Sequence, residues 1–276
     1  MKKSIIAMGA AVLCGSVLAD GVESGIVGYD SVSKTDAKYE TYGSPFVAIG
    51  AEGDTFKLYD LKITGSMNAM SMKNNYIQLM NPASLKLDPA MAFYWNPTQN
   101  YWCYKNSVSG GQTKDTKVPE NTTFSTGYGF LCTFANSVGI QFCGQVLKPT
   151  VDEDGYYTIA KPTSSAKYFF VNNPFPVDIK LTDIYIAGSM NAMSMKNNYI
   201  QYMQKNTLKL DSARAYYWNP TQKYWCYKNS VSGGQTKDTQ VTDADEITIK
   251  AGEGFLMTAA NAVTLKIKAP AALLDL

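Results

Sequence analysis

Gly65-Ser66-Met67-Asn68-Ala69-Met70-Ser71-Met72-Lys73-Asn74-Asn75-Tyr76-Ile77-Gln78 occurs twice, returning unchanged at Gly188 to Gln201. The copies diverge over Leu79–Pro89 and converge again. Tyr94–Gln99 returns as Tyr217–Gln222, and Tyr101–Thr116 returns as Tyr224–Thr239, at a constant offset of 123 positions. About 44 of 54 aligned positions are identical. In a chain of 276 residues, a repeat of this length predicts two tandem copies of a domain, each able to bury its own core, and not a solenoid of short units. Nineteen tyrosines, with abundant Val, Ile, Thr and Phe, favour strands. Phe56 to Ile63 and its counterpart Ile179 to Ile186 alternate apolar and polar residues with the period of a half-buried strand. The expected fold is therefore all-β, with two homologous modules, each a sandwich or barrel-like fold.

Outward from that block, residues 1–19 read as a cleaved secretory signal peptide. Lys2 and Lys3 precede an apolar run from Ile5 to Leu18 that is too short to anchor in a membrane, and Val17-Leu18-Ala19 offers a small-residue cleavage site. The expected boundaries are 20–145 for the first module, 146–270 for the second and 271–276 for a short tail. No other run reaches membrane length, so the mature chain is expected to carry no transmembrane segment. The localisation expected is secreted, periplasmic or cell surface, in a bacterium.

Of 25 basic and 23 acidic residues, two lysines fall in the signal segment, so the mature chain is near neutral. Nucleic acid is not an expected partner of such a surface. The chain has no histidine, which removes Ser-His-Asp and Cys-His catalysis and histidine metal ligation. Carboxylates such as Asp60, Asp88, Asp183 and Asp211 are not paired locally as an acid and a base. Asp152-Glu153-Asp154-Gly155 reads as a hairpin turn, with a calcium loop as the competing reading. No catalytic residue and no cofactor is expected. Cys103, Cys132, Cys143 and Cys226 remain after cleavage, and four cysteines allow three disulfide pairings or none. Cys132 and Cys143 bracket an expected hairpin turn at Ala135-Asn136-Ser137, with Gly139 to Phe142 as its return strand and Val263 to Ile267 as the equivalent in the second copy.

All four tryptophans lie in one hairpin and its copy: Trp95, Trp102, Trp218 and Trp225. Asn96-Pro97-Thr98-Gln99 has the residues of a type I turn. With Trp95 facing Tyr101, one face carries Phe93, Trp95, Tyr101 and Cys103, and the other carries Tyr94, Trp102 and Tyr104. Aromatics on both faces imply a doubly covered sheet or an exposed aromatic platform.

The order Asn173-Pro174-Phe175, Leu181-Thr182-Asp183-Ile184, Tyr217-Trp218-Asn219-Pro220 and Gly252-Glu253-Gly254-Phe255 resembles a β-rich module that occurs in tandem in uncharacterised secreted bacterial proteins. The first copy departs from it at Gly50-Ala51-Glu52, where Asn-Pro-Phe is absent. The resemblance implies fold and export, and brings no catalytic residues.

The near-identity of the central block has two readings: gene conversion or the demands of a shared core, and a shared binding surface. On the second, the protein is an exported, non-catalytic binding protein with two equivalent aromatic sites, Tyr94, Trp102 and Tyr104 in the first copy and Tyr217, Trp225 and Tyr227 in the second. The ligand class suited to such faces is carbohydrate, with a polysaccharide or a cell-surface protein as the partner. The competing expectations are a purely structural surface or matrix protein and a Cu(I) site of thioethers from Met67, Met70 and Met72 and from Met190, Met193 and Met195.

Overall fold

The computed structural model describes residues 27–33, 38–50, 54–68, 71–105, 115–135, 137–191, 193–228 and 238–276, with the backbone alone at Tyr29, Val32 and Ser33. The signal segment, Met70 and the Gly-Gly loops lie outside the described residues. The first half contains β1 (Val27–Ser33), β2 (Tyr39–Tyr42), β3 (Phe46–Val47), β4 (Thr55–Lys57), β5 (Leu61–Gly65), β6 (Asn75–Met80), β7 (Leu87–Asn96), β8 (Tyr101–Tyr104), β9 (Thr123–Ser125), β10 (Phe130–Phe134) and β11 (Val138–Val146). The second contains β12 (Tyr156–Ile159), β13 (Tyr168–Asn172), β14 (Ile179–Lys180), β15 (Ile184–Gly188), β16 (Asn198–Met203), β17 (Leu210–Asn219), β18 (Tyr224–Tyr227), β19 (Thr248–Ile249), β20 (Gly254–Ala259) and β21 (Val263–Lys268). The fold is all-β, as expected.

Each half builds two principal sheets. In the first, β2-β10-β6-β7-β8 faces a sheet in which β11 pairs with β1, β3 and β5. In the second, β13-β20-β16-β17-β18 faces β12-β21-β15. Ile63, Ile140 and Phe142 from one sheet meet Ile77, Phe93, Trp102 and Phe130 from the other in a single buried cluster. This is the sandwich form of the expected module.

The expected hairpin at 135–137 does not form. β10 and β11 lie in different sheets, as do β20 and β21. The reason is that β10 is flanked by β2 and β6, and β11 by β1 on one edge and β3 and β5 on the other, so neither has an edge free for its neighbour in sequence. The chain crosses the sandwich there instead. Cys132 is buried and Cys143 exposed, and all four cysteines are free thiols.

Phe56 to Ile63 is likewise not one strand. A 3-10 turn at Leu58–Asp60 interrupts it, and Leu181–Asp183 does the same in the second half. Asp60 and Asp183 accept hydrogen bonds from the backbone N–H of Lys57 (3.1 Å) and Lys180 (2.7 Å). The Leu-x-Asp-Ile pattern is thus a turn with a buried leucine anchor.

The first half does have a counterpart to Asn173-Pro174-Phe175. It is Ser44-Pro45-Phe46, six positions away from where the constant offset places it. The Ser44 hydroxyl accepts from Phe46 N–H (3.1 Å), as the Asn173 side chain accepts from Phe175 N–H (3.1 Å). The loop before β4 is longer than the one before β14, which moves the alignment from one offset to another.

The two halves meet through the outer faces of their five-stranded sheets. Leu131, Phe170 and Leu256 are buried there, with Tyr39, Tyr168, Met80 and Met203 packed around them. Main-chain bonds are exchanged reciprocally. Lys38 and Tyr39 N–H donate to Lys205 O (2.9 and 2.8 Å), while Lys167 and Tyr168 N–H donate to Pro82 O (2.7 and 3.1 Å). Gly43 N–H donates to Gly252 O (2.9 Å), and Asn172 N–H donates to Gly127 O (3.0 Å). Each half offers the other the same groups, which is the self-complementary contact of a two-fold dimer inside one chain.

Candidate binding site

The hairpin aromatics are placed differently from the sequence expectation. Trp95 pairs with Trp102, not with Tyr101, and Trp218 pairs with Trp225. Residues 97–100 form the loop, closed by Asn100 at φ 56°, with Lys223 at φ 55° in the copy. A slip of one position moves every side chain of the returning strand to the other face. Phe93, Trp95, Trp102 and Tyr104 therefore face the sandwich core, and Tyr94 and Cys103 face outward.

Trp102 and Trp225 are sealed inside, and their ring N–H groups donate to Leu61 O and Ile184 O at 2.9 Å. Tyr94 and Tyr217 are also fully buried, beneath Met72 and Met195. Tyr104 and Tyr227 are half-buried, each 5.6–5.7 Å from the ring of Phe93 or Tyr216. The six residues expected to present a platform are thus divided between two faces, and four of them show no face to solvent.

Two methionines of each triplet meet: Met67 packs against the cluster of Met72, Tyr94 and Cys103, and Met190 against that of Met195, Tyr217 and Cys226. Met72 and Met195 are core residues on short 3-10 turns, Met67 and Met190 pack against the sheets, Met193 stands 85 % exposed, and Met70 lies outside the described residues.

The repeated block builds the same polar clamp twice. The Tyr94 hydroxyl donates to Asp115, which also meets Lys73 at 3.0 Å. Tyr217, Asp238 and Lys196 (2.9 Å) repeat the arrangement. The tyrosine bond first and the lysine second hold each carboxyl below its ordinary range. The clamp ties the start of the segment after each Gly-Gly loop to the sheet.

An open aromatic surface exists elsewhere, in the second half. A groove of about 700 Å³ is lined by Tyr156, Tyr185 and Trp218, with Asp154, Thr182, Lys223 and Lys268 among its polar groups. That volume lies within the range of small-ligand sites. Alternation along β15 turns Ile184 and Ile186 into the core and Tyr185 outward. Tyr156 and Lys268 are cross-strand partners on the same outer face. The Tyr185 ring stands edge-on to Tyr156 at 4.9 Å and lies 5.7 Å from Trp218. The Lys268 ammonium sits over Tyr156 at 4.9 Å and donates to Asp154 O. Asp152 accepts from Tyr156 N–H (2.8 Å) and pairs with Lys266 (2.7 Å), which fixes the turn at the groove's lip. Burial first, and then Tyr185, Asp154, Asp183 and Asp152, hold the Tyr156 hydroxyl protonated above its ordinary range.

Among the described residues the first half differs at the positions of Tyr185 and Lys268. Tyr185 is replaced by Lys62, whose ammonium covers the Trp95 ring at 5.8 Å, and Lys268 by Cys143. Trp95 keeps the same T-shaped contact with Trp102 that Trp218 makes with Trp225, 5.7 Å in both, but is buried. Of the groove's three rings, the sequence reading picked none. The signal was present in the difference between copies, Lys62 against Tyr185, and in the outward phase of Tyr185.

Among the described residues no group of three or more metal-ligating side chains forms, and no helix is long and apolar enough to cross a membrane. No family model, curated protein or solved structure matches the chain.

Proposed function

We propose that this is an exported, non-catalytic binding protein whose second half takes a carbohydrate in the Tyr156–Tyr185–Trp218 groove. The observation that carries the reading is the groove itself: three rings set at angles to one another beside hydroxyl, ammonium and carboxylate groups, in the second of two related halves. Rings of this kind supply rigid apolar faces for the C–H face of a sugar, and the rim groups suit its hydroxyls. The non-catalytic part rests on the rim, where Asp154 is the one carboxylate among the lining residues. Glycoside hydrolysis ordinarily takes two. Export rests on the signal-like residues 1–19, and a cell-surface, periplasmic or secreted location follows from it.

The test is an array of cello-, chito-, xylo- and malto-oligosaccharides, probed with the mature protein and with Tyr185→Lys. That variant installs the first half's own residue, so it leaves the strand intact. Saturable binding that Tyr185→Lys lowers at least tenfold is the expected result. Binding unaffected by Tyr185→Lys, or none to any glycan, would turn the reading towards a structural surface protein.

A further inference from the structure

A second cavity, of about 640 Å³, opens where the halves meet, lined by Glu40, Thr41 and Tyr42 of the first half and Tyr202, Lys205, Arg214 and Glu253 of the second. The internal two-fold relation supplies its control. The equivalent positions across the axis are Phe169, Phe170, Val171, Leu79, Pro82, Met91 and Tyr128. There Phe169 and Val171 are buried and Tyr128 stands edge-on to Phe169 at 6.4 Å. The fold therefore closes this junction with apolar side chains on one side. On the other it keeps a charged cavity, at a desolvation cost that stability alone does not call for.

The charged side is pre-positioned. The Tyr42 hydroxyl donates to one oxygen of Glu40 (2.9 Å), and Lys250 N–H donates to one oxygen of Glu253 (3.0 Å). Among the described residues the other oxygen of each carboxylate has a loose cation, Lys205 at 3.9 Å and Arg214 at 3.6 Å. The Arg214 guanidinium lies 3.7 Å over the Tyr202 ring. Tyr202 is 2 % exposed, and among the described residues its hydroxyl makes no well-aligned hydrogen bond, with the Arg214 guanidinium as its near polar neighbour. A buried hydroxyl left unpaired costs free energy that a ligand atom would recover.

We propose that this junction cavity binds a small zwitterion, a free α-amino acid or a dipeptide. Its ammonium donates to the loosely paired oxygens of Glu40 and Glu253, and its carboxylate takes over Arg214 and accepts from the Tyr202 hydroxyl. A sugar fits less well, because the Tyr202 ring is already covered by Arg214 and by Phe255, whose ring lies 5.7 Å away.

The test is calorimetric titration of the mature protein with the free amino acids and a set of dipeptides, beside their N-acetyl and amide derivatives. Arg214→Met and Tyr202→Leu install the residues of the apolar side, and Tyr202→Phe removes only the hydroxyl. The expected result is saturable binding of one or more zwitterions, weakened about tenfold or more by Arg214→Met and severalfold by Tyr202→Phe. Blocking either end of the ligand weakens it similarly, while Tyr185→Lys leaves it unchanged. No zwitterion binding, binding indifferent to Arg214→Met in a folded variant, or a response confined to neutral sugars would overturn the proposal.

Discussion

Asp115 and Asp238 show at the residue scale what the repeated block does. Each carboxylate is gripped by a buried tyrosine and a lysine, and its folded-state pKa is lowered by those two contacts. In the unfolded chain it would titrate near about 3.9. Between the two values the unfolded chain binds more protons, so stability rises with pH through that window. The contribution is fully present above the unfolded value and is lost as pH falls through the folded one. The melting temperature of the protein should therefore drop, as pH falls below about 4, more steeply than that of an Asp115→Asn, Asp238→Asn double variant. Parallel profiles would contradict the clamp. Residue chemistry was legible in the sequence to this depth: the aromatic block was visible, and so were its two readings. Which aromatic faced solvent was not, because that depends on pairing across a turn. Trp102 and Trp225 use their N–H groups to tie β8 and β18 to carbonyls of the opposite sheet, a long-range contact with no local signature.

At the scale of elements, the four-residue loops 97–100 and 220–223 decide the faces. Their last residue is left-handed, Asn100 in one and Lys223 in the other. Asparagine tolerates that conformation and lysine does so at a cost. Replacing Lys223 with Gly should stabilise the protein by about 1 kcal/mol, read by urea denaturation, whereas Asn100→Gly should change little. A destabilised Lys223→Gly variant would show that the loop closes another way. Period-two alternation in Phe56 to Ile63 located two real strand pieces and the outward Tyr185 position. It missed the 3-10 turn between the pieces, whose aspartate caps a main-chain N–H three residues back. The expected hairpin at 135–137 failed for a reason no local pattern carries, since strand partners are chosen across the whole sandwich.

At the scale of the molecule, the described residues form two matching sandwiches that embrace through reciprocal main-chain bonds and an apolar centre. Duplication predicts two of everything, and the interior follows it: paired tryptophans, paired clamps, paired 3-10 turns. The surface does not. The open aromatic groove lies in the second half, where Tyr185 replaces Lys62, and the charged junction cavity lies on one side of the internal axis. The sequence reading of two equivalent sites followed the shared residues, and those are the core. The sites now proposed lie where the copies differ. The direct measurement is calorimetric stoichiometry with the best-bound oligosaccharide from the array. The account predicts one site per chain, abolished by Tyr185→Lys and untouched by Lys62→Ala. Two equivalent sites per chain, or one that survives Tyr185→Lys, would contradict it.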